Sequence, residues 1–166
     1  MPATVFSPRT AGLLDRAEAL CLARGARLTA LRRDVLGLIL DAPTPAGAYD
    51  LLERLRRARG SAAPPTVYRT LDFLCGQGLV HRVERLNAFV GCVAGADPAP
   101  AVTAHPHAAQ FLICRECGRA IELDDAVLVQ ALAAAARRRG FAVHAATIEA
   151  EGVCAACTRK DPTACP

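Results

Sequence analysis

Apolar residues in the first half of the chain recur every three or four positions, the spacing of one face of an α-helix. Four helices are predicted, with apolar stripes over residues 13–21, 35–40, 48–55 and 67–74. Thr29 is the predicted N-cap of the second helix, which must end before Pro43. Pro64 and Pro65 precede the fourth helix, and Gly78 is its predicted end.

Short alternating segments follow the fourth helix. Residues 79–84 and 88–93 predict two strands joined around Asn87, which is a β-hairpin. Several helices followed by a hairpin, with a tight helix pair just before it, are typical of a winged helix-turn-helix. We therefore expect residues 1–90 to form a DNA-binding domain of this type.

The second half of the chain has a different pattern. Residues 94–106 are small and proline-rich, which indicates a linker or loop. The elements predicted beyond it are strands at 110–114 and around Ile121, a helix from Asp125 to Arg139 closed by Gly140, and strands near 141–144 and 147–151. The predicted fold class is α+β, with a hinge at 91–108 and a small α/β domain at 109–166.

Positive charge is concentrated in the first half. Residues 1–90 contain 13 arginines against 8 acidic residues, whereas residues 91–166 contain 7 basic residues against 8 acidic ones. A basic half favours nucleic acid as the partner, and a solvated arginine-rich surface is the alternative explanation.

The chain starts without the basic-then-apolar pattern of a signal peptide, and its most apolar segment, residues 126–136, is too short to span a bilayer. We therefore expect a cytoplasmic protein with no membrane partner. In a reducing compartment, eight cysteines argue for metal or thiol chemistry rather than for a disulfide framework.

Four of the cysteines form two C-x-x-C pairs, Cys114 with Cys117 and Cys154 with Cys157. Two such pairs supply the four thiolates of a closed tetrahedral zinc site, which would stabilise a half-chain with little core. Reducible disulfides and a thioredoxin-like redox pair are the alternatives. The redox pair requires a helix after the motif, but Gly118 and a predicted strand follow Cys117.

A second set of potential ligands lies outside these pairs, namely His81, Cys92, His107 and Glu122. Each has an ordinary explanation by itself, as a surface histidine, a buried small cysteine or a solvated carboxylate. Together they offer nitrogen, sulfur and oxygen donors suited to tetrahedral zinc. Because they lie on both sides of the linker, one ion bound by all four would connect the two halves and act as a switch.

The chain resembles a known family in several stretches. These are residues 66–74 (TVYRTLDFL), 78–84 (GLVHRVE), 87–89, Cys92, and the cysteine pairs within 113–118 and 152–157. They are similar to the ferric uptake regulator superfamily, most of all to its zinc uptake regulator branch. The resemblance runs from about residue 20 to residue 157, and the TVYR motif with paired C-x-x-C motifs at this spacing is highly specific.

The resemblance implies a homodimeric, zinc-dependent repressor that binds double-stranded operator DNA and has no small-molecule substrate. It implies an N-terminal winged helix, a hinge, and a C-terminal dimerisation and zinc-binding domain at residues 109–166. It implies structural zinc at Cys114, Cys117, Cys154 and Cys157, and regulatory zinc at His81, Cys92, His107 and Glu122. Tyr68 and Arg69 match recognition-helix residues that meet DNA in the major groove, and Thr66 of the same motif is a further candidate.

Several assignments stay open. His105 is an alternative to His107, which we favour from its distance to Cys114 in the sequence. His144 lies near a ligand position of iron- and peroxide-sensing relatives, but its register differs by about one residue. Arg27, Arg32 and Arg33 are candidates for phosphate or minor-groove contacts, with a solvated helix face as the alternative. The tail that contains Cys165 has no assignment.

Three rival functions remain. An iron-, manganese- or peroxide-responsive regulator of the same superfamily would use ligands such as His105 and His144 in place of Cys92. A zinc hydrolase would use Glu122 as a general base, but the sequence has no H-E-x-x-H or comparable catalytic motif. A zinc-ribbon interaction module would have no sensing function at all.

Overall fold

The computed structural model describes residues 6–60, 62–92 and 109–159. The chain divides into two units, residues 1–98 and 99–166. Among the described helices, none combines the length and apolarity that crossing a membrane requires. The predicted ligands His105 and His107, and Cys165 in the tail, lie outside the described residues.

The first unit contains the four predicted helices and the hairpin. Its elements are α1 (Pro8–Ala23), α2 (Ala30–Leu40), β1 (Ala46–Gly47), α3 (Ala48–Arg59), α4 (Pro64–Gly76), β2 (Val80–Val83) and β3 (Ala88–Gly91). The three strands form an antiparallel sheet in the order β1-β3-β2. The sequence pattern missed β1, because two residues are too few to display an alternation.

The helix ends follow the predicted local chemistry. The Thr29 hydroxyl caps α2 by accepting from the backbone N–H of Arg32. Asn87 has a positive φ of 46° in the turn between β2 and β3, as a tight hairpin requires. The two prolines form the first turn of α4 rather than preceding it, and α4 ends at Gly76, two residues before the predicted Gly78.

The core of the first unit lies where α2, α3 and α4 meet. Leu55 of α3 and Leu74 of α4 are fully buried, as is Val35 of α2. A charged pair supports this packing, since Arg59 at the end of α3 donates to the buried carboxylate of Asp34 on α2. The inner face of α4 therefore packs in this core, and its outer face is exposed to solvent.

The second unit is built on a three-stranded sheet. Its elements are β4 (Ala109–Cys114), β5 (Ala120–Leu123), α5 (Ala126–Arg137), β6 (Thr147–Gly152) and α6 (Ala155–Thr158). The central strand β4 pairs antiparallel with β5 and parallel with β6. The short helix α6 was not predicted, since four residues carry no helical period.

The predicted strand at 141–144 is wrong. The backbone there closes α5 instead, because Gly140 adopts a left-handed φ of 70° and the N–H of Phe141 donates to the carbonyl of Ala136. Phe141 is 66% exposed, so the apolar residues of this segment do not face a sheet partner within the described second unit.

Leu55→Ala should destabilise the first unit by about 2–5 kcal/mol, because it leaves a cavity at a fully buried position. The matched control is Leu22→Ala on α1, where the side chain is 76% exposed, and there we expect a change within about 0.5 kcal/mol. Urea unfolding followed by helical circular dichroism measures both, and equal losses in the two variants would contradict this packing.

Candidate metal centres and nucleic-acid interface

The two C-x-x-C pairs come together in the second unit. Cys114 ends β4, Cys154 is the N-cap of α6, and potential ligand atoms of all four cysteines lie within 4.8 Å of one another. The sulfurs of Cys117 and Cys154 are 3.9 Å apart. Two thiolates of a tetrahedral zinc site, with Zn–S bonds of about 2.3 Å, are separated by about 3.8 Å. The cluster therefore has the donor set and the size of a closed zinc site.

A tight turn in each C-x-x-C motif brings these sulfurs close together. Gly118 adopts a positive φ of 72°, and its N–H donates to the carbonyl of Cys114, which closes the first knuckle. In the second knuckle the sulfur of Cys154 accepts from the N–H of Cys157. Gly118 followed by β5, rather than by a helix, also excludes the thioredoxin-like arrangement that the motif alone left open.

Backbone N–H groups stabilise the deprotonated thiolate form of cysteines in this cluster. The N–H of Cys154 donates to the sulfur of Cys114 at 3.3 Å. This bond and the N–H of Cys117 lower the pKa of the Cys114 thiol from 9.0 to about 6. The N–H of Cys157 lowers the pKa of Cys154 in the same way. Because a metal binds the thiolate, these donors reduce the competition from protons.

A second pair of potential ligands lies on the hairpin of the first unit. His81 is on β2 opposite Val90, and the N–H of Cys92 donates to the carbonyl of Leu79, which holds Cys92 beside the strand. A ring nitrogen of His81 and the sulfur of Cys92 lie within 4.8 Å of each other. These two side chains therefore offer one nitrogen and one sulfur donor close together on the first unit.

The other predicted ligands are in the second unit. Glu122 lies on β5 opposite Phe111 of β4, and its side chain is half-buried. His144 is exposed, and it belongs to neither group of potential metal ligands among the described residues.

The outer face of α4 carries the predicted DNA contacts. Val67, Leu71 and Leu74 point into the core, so the intervening residues face outward. Thr66 and Arg69 are exposed, and Tyr68 is 45% exposed despite its aromatic ring. A polar and aromatic face on a helix next to a hairpin has the chemistry needed to read base edges in a major groove.

The three arginines around α2 differ in their surroundings. Arg27 is exposed in the loop between α1 and α2. Arg33 forms ion pairs with Asp15 and Glu18 of α1 at 2.6 and 3.1 Å. Arg32 lies over the ring of Phe73 on α4, with its guanidinium carbon 3.4 Å from the ring centroid. The sequence pattern gave no indication of these internal partners, because they join residues far apart in the chain.

Apolar side chains are exposed on the second unit. Within residues 109–159, no residue of α5 is buried, although the helix is mostly apolar. The large apolar residues exposed on this unit include Val127, Leu128, Val129 and Leu132 of α5, with Leu112 and Ile121 on the sheet. The exposed apolar surface of this helix is therefore not explained by core packing within the described unit, and it has the character of an interface between protein chains.

Comparison with known proteins gives consistent matches over most of the chain. The sequence model of the ferric uptake regulator family matches residues 23–151. The zinc uptake regulation protein of Escherichia coli K12 is 41% identical over 148 residues, which are 89% of this chain and 82% of that protein. A solved zinc uptake regulator complexed with zinc and DNA matches with a TM-score of 0.83 at 39% identity, covering 93% of this chain and 99% of that one. The crystal structure of holo XcZur matches with a TM-score of 0.76 at 44% identity, covering 88% and 96% of the two chains.

Cys114→Ser should remove the zinc of the four-cysteine cluster and unfold the second unit, because zinc at such a site contributes on the order of 10 kcal/mol to folding. Cys75→Ser is the matched control, since Cys75 lies on α4 outside both groups of potential ligands. Elemental analysis and thermal melting test both variants. A Cys114→Ser protein that keeps its zinc and melts like the control would contradict the structural assignment.

Proposed function

The chain is a transcriptional regulator of the ferric uptake regulator family, and we propose that it is a dimeric repressor of zinc uptake and homeostasis genes that binds operator DNA when zinc fills a regulatory site. The observation that carries this proposal is the pairing of His81 with Cys92 on the hairpin beside α4. It places two potential ligands of one metal ion in the first unit, separate from the four-cysteine cluster.

The proposed regulatory ligands are His81, Cys92, Glu122 and His107, with His105 as the alternative to His107. Their support comes from the donor chemistry and from the match to the zinc-sensing branch of the family. Two of them belong to residues 1–98 and the others to residues 99–166. An ion held by all four would constrain one unit relative to the other, which is a physical basis for metal-dependent DNA affinity.

Zinc is favoured over iron or manganese because of Cys92. A thiolate ligand suits zinc, whereas manganese prefers harder oxygen donors, and a redox-inert ion leaves the thiolate unoxidised. His144 is exposed, and among the described residues it belongs to neither group of potential ligands. It therefore gives no support to a ligand set of the iron- or peroxide-sensing type.

DNA recognition is assigned to the first unit. Arg69 can pair bidentately with a guanine edge, and Tyr68 can contact a thymine methyl group or a phosphate. Thr66 at the start of α4 and Arg27 in the loop between α1 and α2 are proposed to hold the DNA backbone. Arg33 is already paired with two carboxylates, which weakens its earlier assignment as a DNA contact.

The second unit is proposed to form the dimer through its exposed apolar surface. A second copy of the chain would cover α5 and present two DNA-binding units to successive half-sites of an operator. We assign no enzymatic activity, because the proposed ligands already fill a tetrahedral site and Glu122 is counted among them rather than as a general base. The proposed location is the cytoplasm, where the DNA is.

Cys92→Ser should leave a folded dimer that binds one zinc per monomer instead of two and whose DNA affinity no longer depends on zinc. The reason is that Cys92 supplies the only thiolate of the proposed regulatory site. Elemental analysis of dialysed and zinc-reloaded protein measures the stoichiometry, with Cys75→Ser as the control that should keep both ions. One zinc in both proteins would favour the iron or manganese sensor or the plain zinc-ribbon module.

Arg69→Gln should weaken operator binding by about 1–3 kcal/mol and relax the preference for guanine at one base pair. The control is Arg138→Gln, which removes the same charge at the end of α5 and should leave DNA binding unchanged. Binding curves on duplexes substituted at each position provide the test. Uniform weakening on every duplex would identify Arg69 as a phosphate contact instead.

A further inference from the structure

Arg32 connects two parts of the proposed DNA surface. Its guanidinium group lies over the ring of Phe73 on α4. Its Nη1 also donates to the backbone carbonyl of Arg27 at 2.6 Å, in the loop between α1 and α2. One half-buried side chain thus contacts both the helix that carries Arg69 and the loop that presents Arg27.

Phe73, whose ring contacts Arg32, is held in place by packing. It lies four residues after Arg69, which is about one helical turn farther along α4. Its ring is partly buried and packs against the core of the first unit. A planar guanidinium stacked on a ring held in this way has little freedom to turn outward.

A second arginine joins the same loop to the end of α4. Arg24 donates through Nη1 to the carbonyl of Gln77, the C-cap residue of α4, at 2.5 Å. Leu28, the residue after Arg27 in the loop, is buried in the core. The loop that carries Arg27 is therefore connected to α4 on both sides, by Arg24 before it and by Arg32 after it.

We propose that Arg32 is a positioning residue for DNA recognition, which sets the spacing between Arg27 and Arg69 and makes no phosphate contact itself. This inference rests on the proposed function. If Arg27 binds a phosphate and Arg69 binds a base, the distance between the two arginines decides whether both contacts can form at the same time on one DNA site. Loss of Arg32 then lowers discrimination between sequences, while the number of neutralised phosphates stays the same.

The test compares two DNA probes. One is the duplex that zinc-loaded wild-type protein enriches from a random-sequence pool, and the other is a shuffled duplex of the same base composition. Affinities of the full-length, zinc-loaded protein are measured over a range of salt concentrations. Arg32→Gln should weaken binding to the enriched duplex on the order of tenfold, from the lost stacking and hydrogen bond. Its affinity for the shuffled duplex and its salt slope should stay at the wild-type values.

Arg27→Gln is the contrasting variant. Because Arg27 is the proposed phosphate contact, its loss should weaken binding to both duplexes and reduce the salt slope by about 1. The two arginine variants remove the same charge from positions five residues apart. A difference between their DNA affinities therefore reflects the different contacts of the two side chains.

Variants of Phe73 test the stacking itself. Phe73→Leu should lose discrimination as Arg32→Gln does, and Phe73→Tyr, which keeps the ring, should retain it. The double variant of Arg32→Gln with Phe73→Leu should discriminate no worse than either single variant, since both remove one contact.

Three results would overturn the inference. The first is an Arg32→Gln protein with the reduced salt slope of Arg27→Gln, which would make Arg32 a phosphate contact. The second is unchanged discrimination. The third is an equal loss on both duplexes that follows a fall in melting temperature, which would mean a purely stabilising contact. A wild-type protein that enriches no duplex would instead contradict the proposed function, and the inference with it.

Discussion

On the proposed assignment, folding of the second unit depends on metal binding by its cluster of four thiols. The buried side chains of its described part are few, and half of them are small, namely Ala109, Gln110, Phe111, Ile113, Cys114 and Ala156. Burial of so little apolar area does not offset the conformational entropy that folding costs. Four sulfurs within 4.8 Å of one another supply the missing free energy once they bind a metal. A second copy of the chain against α5 would add the apolar burial that the isolated unit lacks.

The four-cysteine cluster and the His81–Cys92 pair suit two different functions of a bound metal. The four-cysteine cluster has only thiol donors, as closed structural zinc sites do, and its backbone N–H groups lower the pKa of Cys114, which reduces the competition from protons. The His81–Cys92 pair lies on the hairpin of the other unit and has mixed donors. On the proposed function, the mixed-donor site is the one whose occupancy varies with the zinc concentration, as a sensor requires.

Much of the fold follows from the sequence, because the relevant interactions are local. Thr29 caps α2, Asn87 turns the hairpin, and Gly118 closes a knuckle, each for reasons contained within a few residues. The cysteine pairs were also predictable, since the spacing of a C-x-x-C motif is itself the geometry of two zinc ligands. The prediction of a strand at residues 141–144 is wrong, because Gly140 directs that backbone to close α5.

The tertiary partners of the arginines were not predictable. Nothing local to residues 32 and 33 distinguishes a side chain that stacks on Phe73 from one that pairs with Asp15 and Glu18. These contacts exist because α1, α2 and α4 pack together, and that packing depends on the whole core. From the sequence alone both arginines are candidates for DNA contacts or for a solvated helix face, whereas the structure gives each of them an internal partner.

The most direct test of the account is thermodynamic linkage. If zinc at the regulatory site raises DNA affinity by some factor, then DNA must raise the zinc affinity of that site by the same factor, about 5-fold to 150-fold for typical allosteric coupling. Competition with a fluorescent zinc chelator, with and without saturating operator duplex, measures the zinc affinity directly. The account predicts tighter zinc binding in the presence of the duplex, by the factor found for DNA. Equal zinc affinity with and without the duplex would contradict it.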